Sequence, residues 1–310
     1  MDELTQSLDA FGPWDWACVA ANLTAAAIGI FAIRCWRGMP GVPPPLPTSA
    51  INAALGLVTG LMSFGVIFGL VLAAAAQAFS SHFGIAQAHV FTAAFLGQSA
   101  AALSMIAMGA LVPETLRWAP DTVPAEPSDN ALRRAARAFT FPRLLLALLV
   151  LFALGLALAA LWKGVHVGWT QLFQHGLVGE PPADEPQDIV DSVLKTDVDT
   201  WRFGTIILAV TIGAPIMEEL AFRGMLYPGL RRLLEGATER HARWLAVALT
   251  GLIFSAAHQS PSAALPLLGF GAFMCLVRDR YGLLTCMAAH AGFNLWNLVW
   301  LKLAPNASTL

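Results

Sequence analysis

Charge is what this sequence has least of. Asp, Glu, Lys and Arg make up 12% of the 310 residues, whereas 57% are hydrophobic; a soluble domain carries about 25% charged residues. So little charge cannot keep a surface wet, so a water-soluble globule is excluded and a lipid bilayer becomes the expected solvent. The net charge of −2 offers no basic face to nucleic acid. The four cysteines, Cys18, Cys35, Cys275 and Cys286, are scattered and form no CxxC pair. They read as small apolar packing residues rather than redox or metal groups. HExxH is missing, so zincin chemistry is not indicated. A basic flank is missing as well: residues 1–13 carry Asp2, Glu3 and Asp9. The first apolar run is therefore expected to stay as a spanning helix and not to be a cleaved signal. No internal repeat and no low-complexity tract occurs.

What is present is a series of long apolar runs. A hydrocarbon core ~30 Å thick is crossed by about 20 mostly apolar helical residues. Runs near 14–33, 51–79, 86–112, 143–163, 203–222, 244–258, 264–277 and 283–301 meet or approach that length. The expectation is an all-α polytopic membrane helical bundle of about eight transmembrane helices, the sixth and seventh short. Frequent Gly and Ala suit close helix contact in lipid. Two connections, 113–142 and 164–202, hold several prolines and charges and read as polar loops, with room for short surface helices. The first loop divides an N-terminal membrane region (1–142) from a C-terminal part (143–310), the two forming one integrated bundle.

The basic residues set an expected orientation. Arg34 and Arg37, then Arg117 to Arg143, then Arg231 to Arg243, then Arg278 and Arg280 fall in alternate loops, on one side. The acidic N-terminus and the acidic 180–199 loop fall on the other. Both termini are thus expected outside the cytoplasm, and an even number of spans requires that they share a side. A bacterial inner (plasma) membrane is the expected location, from the Ala- and Trp-rich composition.

Polar side chains within such runs are expensive and each needs a reason. Glu218 and Glu219 end the fifth run, with Arg223 following. Glu219 and Arg223 are i,i+4 neighbours that can pair, which leaves Glu218, about 100° around the helix, as the surplus carboxylate. One Arg cannot fully compensate two desolvated carboxylates. Pro215 is placed to loosen the helix just before them. Phe254 and His258 are i,i+4 in the sixth run. A hairpin turning near residue 238 sets Glu218 and His258 at similar depth, although the basic loops draw residue 223 toward the cytoplasmic end of its span. In the eighth run His290 and Asn294 are i,i+4, with Asn297 one turn on. Each pair alone suits ordinary helix packing. Together they form a polar cluster on three spans. A carboxylate and a neutral imidazole can deprotonate water, and a second His with an Asn can donate to an oxyanion. Ser255 lies on another helical face and is not taken as a nucleophile. A Glu/His metal site stays open on ligand type alone. The five other histidines (His82, His89, His166, His175 and His241) read as solvated.

These motifs, E-E-x-x-x-R at Glu218, Glu219 and Arg223, F-x-x-x-H at Phe254 and His258, and H-x-x-x-N at His290 and Asn294, resemble those of the CPBP family, the CAAX proteases and bacteriocin-processing enzymes also called Abi proteins. The resemblance covers roughly residues 203–300. It implies an eight-helix intramembrane glutamate-type endopeptidase acting on a membrane-anchored or lipidated peptide or protein. It also implies roles: Glu218 with His258 activating water, His290 with Asn294 stabilising the oxyanion, and Glu219 with Arg223 as the supporting ion pair. Its metal-free form is the one expected, with no cofactor, because the site lacks a third clear ligand residue. A non-catalytic scaffold or immunity protein, and a proton-coupled transporter, are the competing readings. The second would predict duplicated spans, which are not seen.

Overall fold

The computed structural model describes residues 12–36, 49–83, 90–112, 115–118, 131–180, 193–196, 201–236, 238 and 241–304. Within them every regular element is a helix. The front of the chain supplies α1 (Pro13–Trp36), α2 (Ala50–Met62), α3 (Phe68–Phe83) and α4 (Val90–Leu111), with a π turn, Ser63–Ile67, joining α2 to α3. Then come the short basic α5 (Ala131–Ala138) and the long α6 (Phe141–Gln174). The rear supplies α7 (Trp201–Leu208), α8 (Ala214–Glu218), α9 (Tyr227–Glu235), α10 (Ala242–Ala257), α11 (Ala264–Tyr281) and α12 (Leu283–Leu303). π turns at Ala209–Gly213 and Glu219–Leu226 weld α7, α8 and α9 into one rod.

The chain is an integral membrane protein. Among the described residues, six helical stretches are long and apolar enough to cross a bilayer: Pro13–Ile33, Ala50–Phe79, Val90–Leu111, Phe141–Gln174, Trp201–Glu235 and Pro261–Tyr281. The two remaining expected runs are also helical. α10 has only 16 residues. α12 has 21, but its apolar run is interrupted by His290, Asn294 and Asn297.

Two sequence expectations are corrected here. The 164–202 connection does not begin at 164, because α6 continues to Gln174. Its 34 residues reach about 51 Å at ~1.5 Å per residue, well beyond the hydrocarbon core, and the extension carries His166. Gly164 and Gly168 do not end it, since a helix already nucleated tolerates isolated glycines. The fifth span, likewise, does not end near 222. It runs to Glu235 through Pro228, which has no N–H to give, and the carbonyl of Gly224, four residues back, accepts instead from the N–H of Arg117 at 3.0 Å. Arg223 therefore lies mid-rod and not at the end of its helix. Glu218 and His258 each lie twenty residues from position 238, and their side chains approach to 3.9 Å.

One shared core runs from front to rear. Ala101, Ala102 and Met105 of α4 and Ala147, Val150 and Leu151 of α6 pack with Met217, Leu220, Phe222, Phe254, Phe270 and Met274. α10 and α11 cross closely because both present glycine. A Cβ on Gly271 would stand 2.9 Å from the Cα of Gly251 and 3.0 Å from Cβ of Phe254. The α11–α12 hairpin turns on Gly282, whose φ of 83° costs other residues conformational energy. Leu283 then donates its N–H to the Trp118 carbonyl, 2.9 Å away, which sets where α12 starts.

Candidate active site

The rod that carries the two glutamates is not a plain α-helix. Pro215 has no N–H, and its ring clashes with the turn before it in α geometry. The backbone answers with a π turn: Ala214 donates to Ala209, five residues back. Glu218 then closes the five-residue α8, and a second π stretch follows, with Tyr227 donating to Phe222. Wide turns of this kind recur at functional sites because they re-aim side chains out of the 3.6-residue register.

Glu219 is fully buried and holds two partners with one oxygen. Its Oε1 accepts from Arg223 Nη1 at 2.9 Å and from His290 Nδ1 at 2.8 Å. Arg223 is fully buried as well. It donates through Nη2 to the Gly271 carbonyl at 3.2 Å, and its guanidinium lies 4.5 Å from the centroid of the Phe254 ring. The carbonyl of a close-packed glycine thus serves as the cation's third anchor. The pair expected from i,i+4 spacing is present, and His290 joins it, an addition the spacing did not reveal.

His258 ends α10. Its own N–H bonds three residues back to Ser255, so the Phe254 carbonyl loses its usual helical donor. The imidazole supplies one instead: Nδ1 stands 2.8 Å from that carbonyl oxygen. A carbonyl only accepts, so Nδ1 carries the hydrogen and neutral His258 presents a bare Nε2. The same logic applies to His290, whose Nδ1 faces a carboxylate. Both Nε2 atoms point to one place, each 3.9 Å from Glu218 Oε2. The turn after His258 is strained: Gln259 has φ 49°, uncommon for a residue with a side chain and frequent at functional sites.

A separation of 3.9 Å is too long for a hydrogen bond and right for one bridging water. Glu218 Oε2 is buried and, among the described residues, has no hydrogen-bond partner. Glu219 Oε2 is unpartnered as well, but Glu219 spends its other oxygen on Arg223 and His290, whereas the open oxygen of Glu218 is the one that both Nε2 atoms approach. The cluster is not wholly shut off, since the side chains of His258 and Glu218 keep 24% and 11% of their surface exposed. Two cavities lie beside it, of about 590 Å³ between α1, α6 and α12 and about 380 Å³ between Thr211–Ile216 and α12. No group of three or more His, Cys, Asp or Glu among the described residues is arranged to hold a metal ion.

Asn294 reaches the backbone of the rod that carries Glu218. Its Nδ2 donates to the Val210 carbonyl at 2.8 Å. Asn297 does not extend the cluster, since it bonds Phe293 of its own helix and is exposed. Sequence reasoning missed Gln98 of α4, which is buried beside Gly213 with an unpartnered Oε1. A lone carboxamide midway along an apolar run was the available signal. His82 and His89 lie outside the residues whose side chains are described.

Residues 200–296 match a family model described as type II CAAX prenyl endopeptidase Rce1-like. The match agrees with the CPBP resemblance and takes in all six of Glu218, Glu219, Arg223, His258, His290 and Asn294. Neither the comparison with curated proteins nor that with solved structures gives a match.

Proposed function

We propose that this membrane protein, whose residues 200–296 are Rce1-like, is an intramembrane endopeptidase that hydrolyses a peptide bond in a membrane-anchored or lipidated peptide or protein. One observation carries the reading: two bare imidazole nitrogens converge at 3.9 Å on an unpartnered, buried carboxylate oxygen. A water held at that point donates its hydrogens to Glu218 Oε2 and His258 Nε2 and keeps a lone pair for the scissile carbonyl. As the C–O bond forms, Glu218 takes the proton and the carbonyl π electrons move onto oxygen. Asn294 offers the oxyanion the N–H it does not spend on Val210. Collapse of the tetrahedral intermediate expels the amine, which takes the proton from Glu218. Glu219 and Arg223 hold His290 and the rod in place. No cofactor enters this scheme. The alternation of basic loops supports an orientation with both termini outside, and the composition supports a bacterial plasma membrane.

A second reading, a scaffold without catalysis, is favoured by the bonds His290 and Asn294 make across helices, which a purely structural role would also use. Processing of membrane-anchored candidate substrates in cells separates the two. Wild type and Glu218→Gln at matched expression should differ by at least ~100-fold if Glu218 is the base. Equal processing would sink the peptidase reading.

A further inference from the structure

The bond from Asn294 to Val210 has a backbone cause. In an α-helix the Val210 carbonyl would accept from Ala214, but Ala214 has moved its N–H to Ala209. The π register hands Val210 to residue 215, which is proline and has no N–H to give. The carbonyl is orphaned within a membrane span, where an unpaired backbone group is costly. Asn294, 84 residues later on another helix, donates to it at 2.8 Å. We infer that Pro215 and Asn294 form a matched latch, in which the side chain of α12 replaces the helical bond that proline removes, and that this latch positions Glu218.

The geometry gives the latch its purpose. Glu218 lies three residues beyond Pro215, at the end of α8, while His290 lies one turn before Asn294 on α12. The Nδ2–carbonyl bond therefore fixes the rod against the helix whose imidazole must stand 3.9 Å from Glu218 Oε2. It also crosses the seam between two walls of the 380 Å³ groove, which is lined by Thr211, Pro215, Met287 and Ala291. Asn294 comes one turn after Ala291. Asn has two Nδ2 hydrogens, so one can latch while the other stays available for the oxyanion. The inference rests on the peptidase reading only for its activity arm.

The test is a double-mutant cycle on the full chain in detergent and in vesicles, with Asn294→Ala, Pro215→Ala and the two combined. The Pro215→Ala substitution restores an N–H that can close on Val210. Asn294→Ala should therefore lower the melting temperature markedly when made in the wild type and little when made in the Pro215→Ala variant. Melting losses that simply add overturn the pairing, and this arm needs no substrate. If Asn294→Ala alone cannot be purified, recovery of folded protein on adding Pro215→Ala is the same positive result, and failure of that recovery counts against it. For activity, Asn294→Ala should lower kcat about 100-fold with KM little changed, the scale of a misplaced catalytic group. The double variant should regain at least about tenfold of that kcat. Restored melting with no restored kcat overturns the positioning role and leaves Asn294 acting only as a direct donor.

Discussion

Set the second span beside the fifth. Over the most apolar 18 residues of Ala50–Phe79, 11% lie buried inside the protein; over those of Trp201–Glu235, 61% do. In water the more apolar helix would be the buried one. Here Ala50–Phe79, mean hydropathy 2.3, lies out in the lipid, and Trp201–Glu235, mean hydropathy 1.6, fills the centre. Lipid tails reward apolar surface as well as a core does, so burial is not driven by it. What must be hidden is polarity, and the rear rod carries Glu218, Glu219 and Arg223. The front helices form a belt that shields them.

Four substitutions test this contrast, in falling order of expected effect. Arg223→Met should be the most damaging, because it strands the Glu219 carboxylate in a dry core. About 3–5 kcal/mol is typical for breaking a buried pair, read as a collapse of the detergent melt; a melt near that of wild type would mean that His290 alone suffices. Gly271→Ala should cost about 1–3 kcal/mol through overpacking against Gly251 and Phe254, checked by thermal unfolding and, through the displaced carbonyl anchor, by lower cleavage. Asn22→Leu removes the hydrogen bond in which Trp296 Nε1 donates to Asn22 Oδ1 at 3.0 Å, one tie between belt and rear. A loss of about 0.6 kcal/mol is the scale for such bonds in membranes; a much larger loss would mean the belt helps to hold the site. Leu70→Ala, on the lipid face of α3 at 66% exposure, should stay within about 0.5 kcal/mol. If Leu70→Ala rivalled Gly271→Ala, the contrast between belt and core would fail.

The legible part of the molecule was the part written in side-chain chemistry. Charges at i,i+4 in apolar runs announced Glu219 with Arg223, the surplus Glu218, His258, and His290. Equal spacing about residue 238 set two of them level. The unread part was written in backbone register. Nothing in Ala209–Gly213 marks it as a π turn except Pro215 beyond it, so Val210's open carbonyl and its claim on Asn294 were invisible. His290 could not be assigned to Glu219 or Glu218 without the rotation of α12. The start of the loop after α6 was misread because the prolines and acidic residues that mark it all lie beyond Gln174, and nothing between 164 and 174 tells a helix that outruns the membrane from a connection.

The brevity of α10 has a consequence for the lipid. Sixteen residues rise about 24 Å at ~1.5 Å each, less than a hydrocarbon core of ~30 Å. His258 stands at the end of that short climb, so either the bilayer thins over it or water must descend to it. Mismatch of this kind costs fractions of a kcal/mol per Å, and a thinner host membrane lowers the cost. On the proposed peptidase reading, acyl-chain length then becomes a control on water supply to Glu218, and turnover in vesicles should rise as the chains shorten.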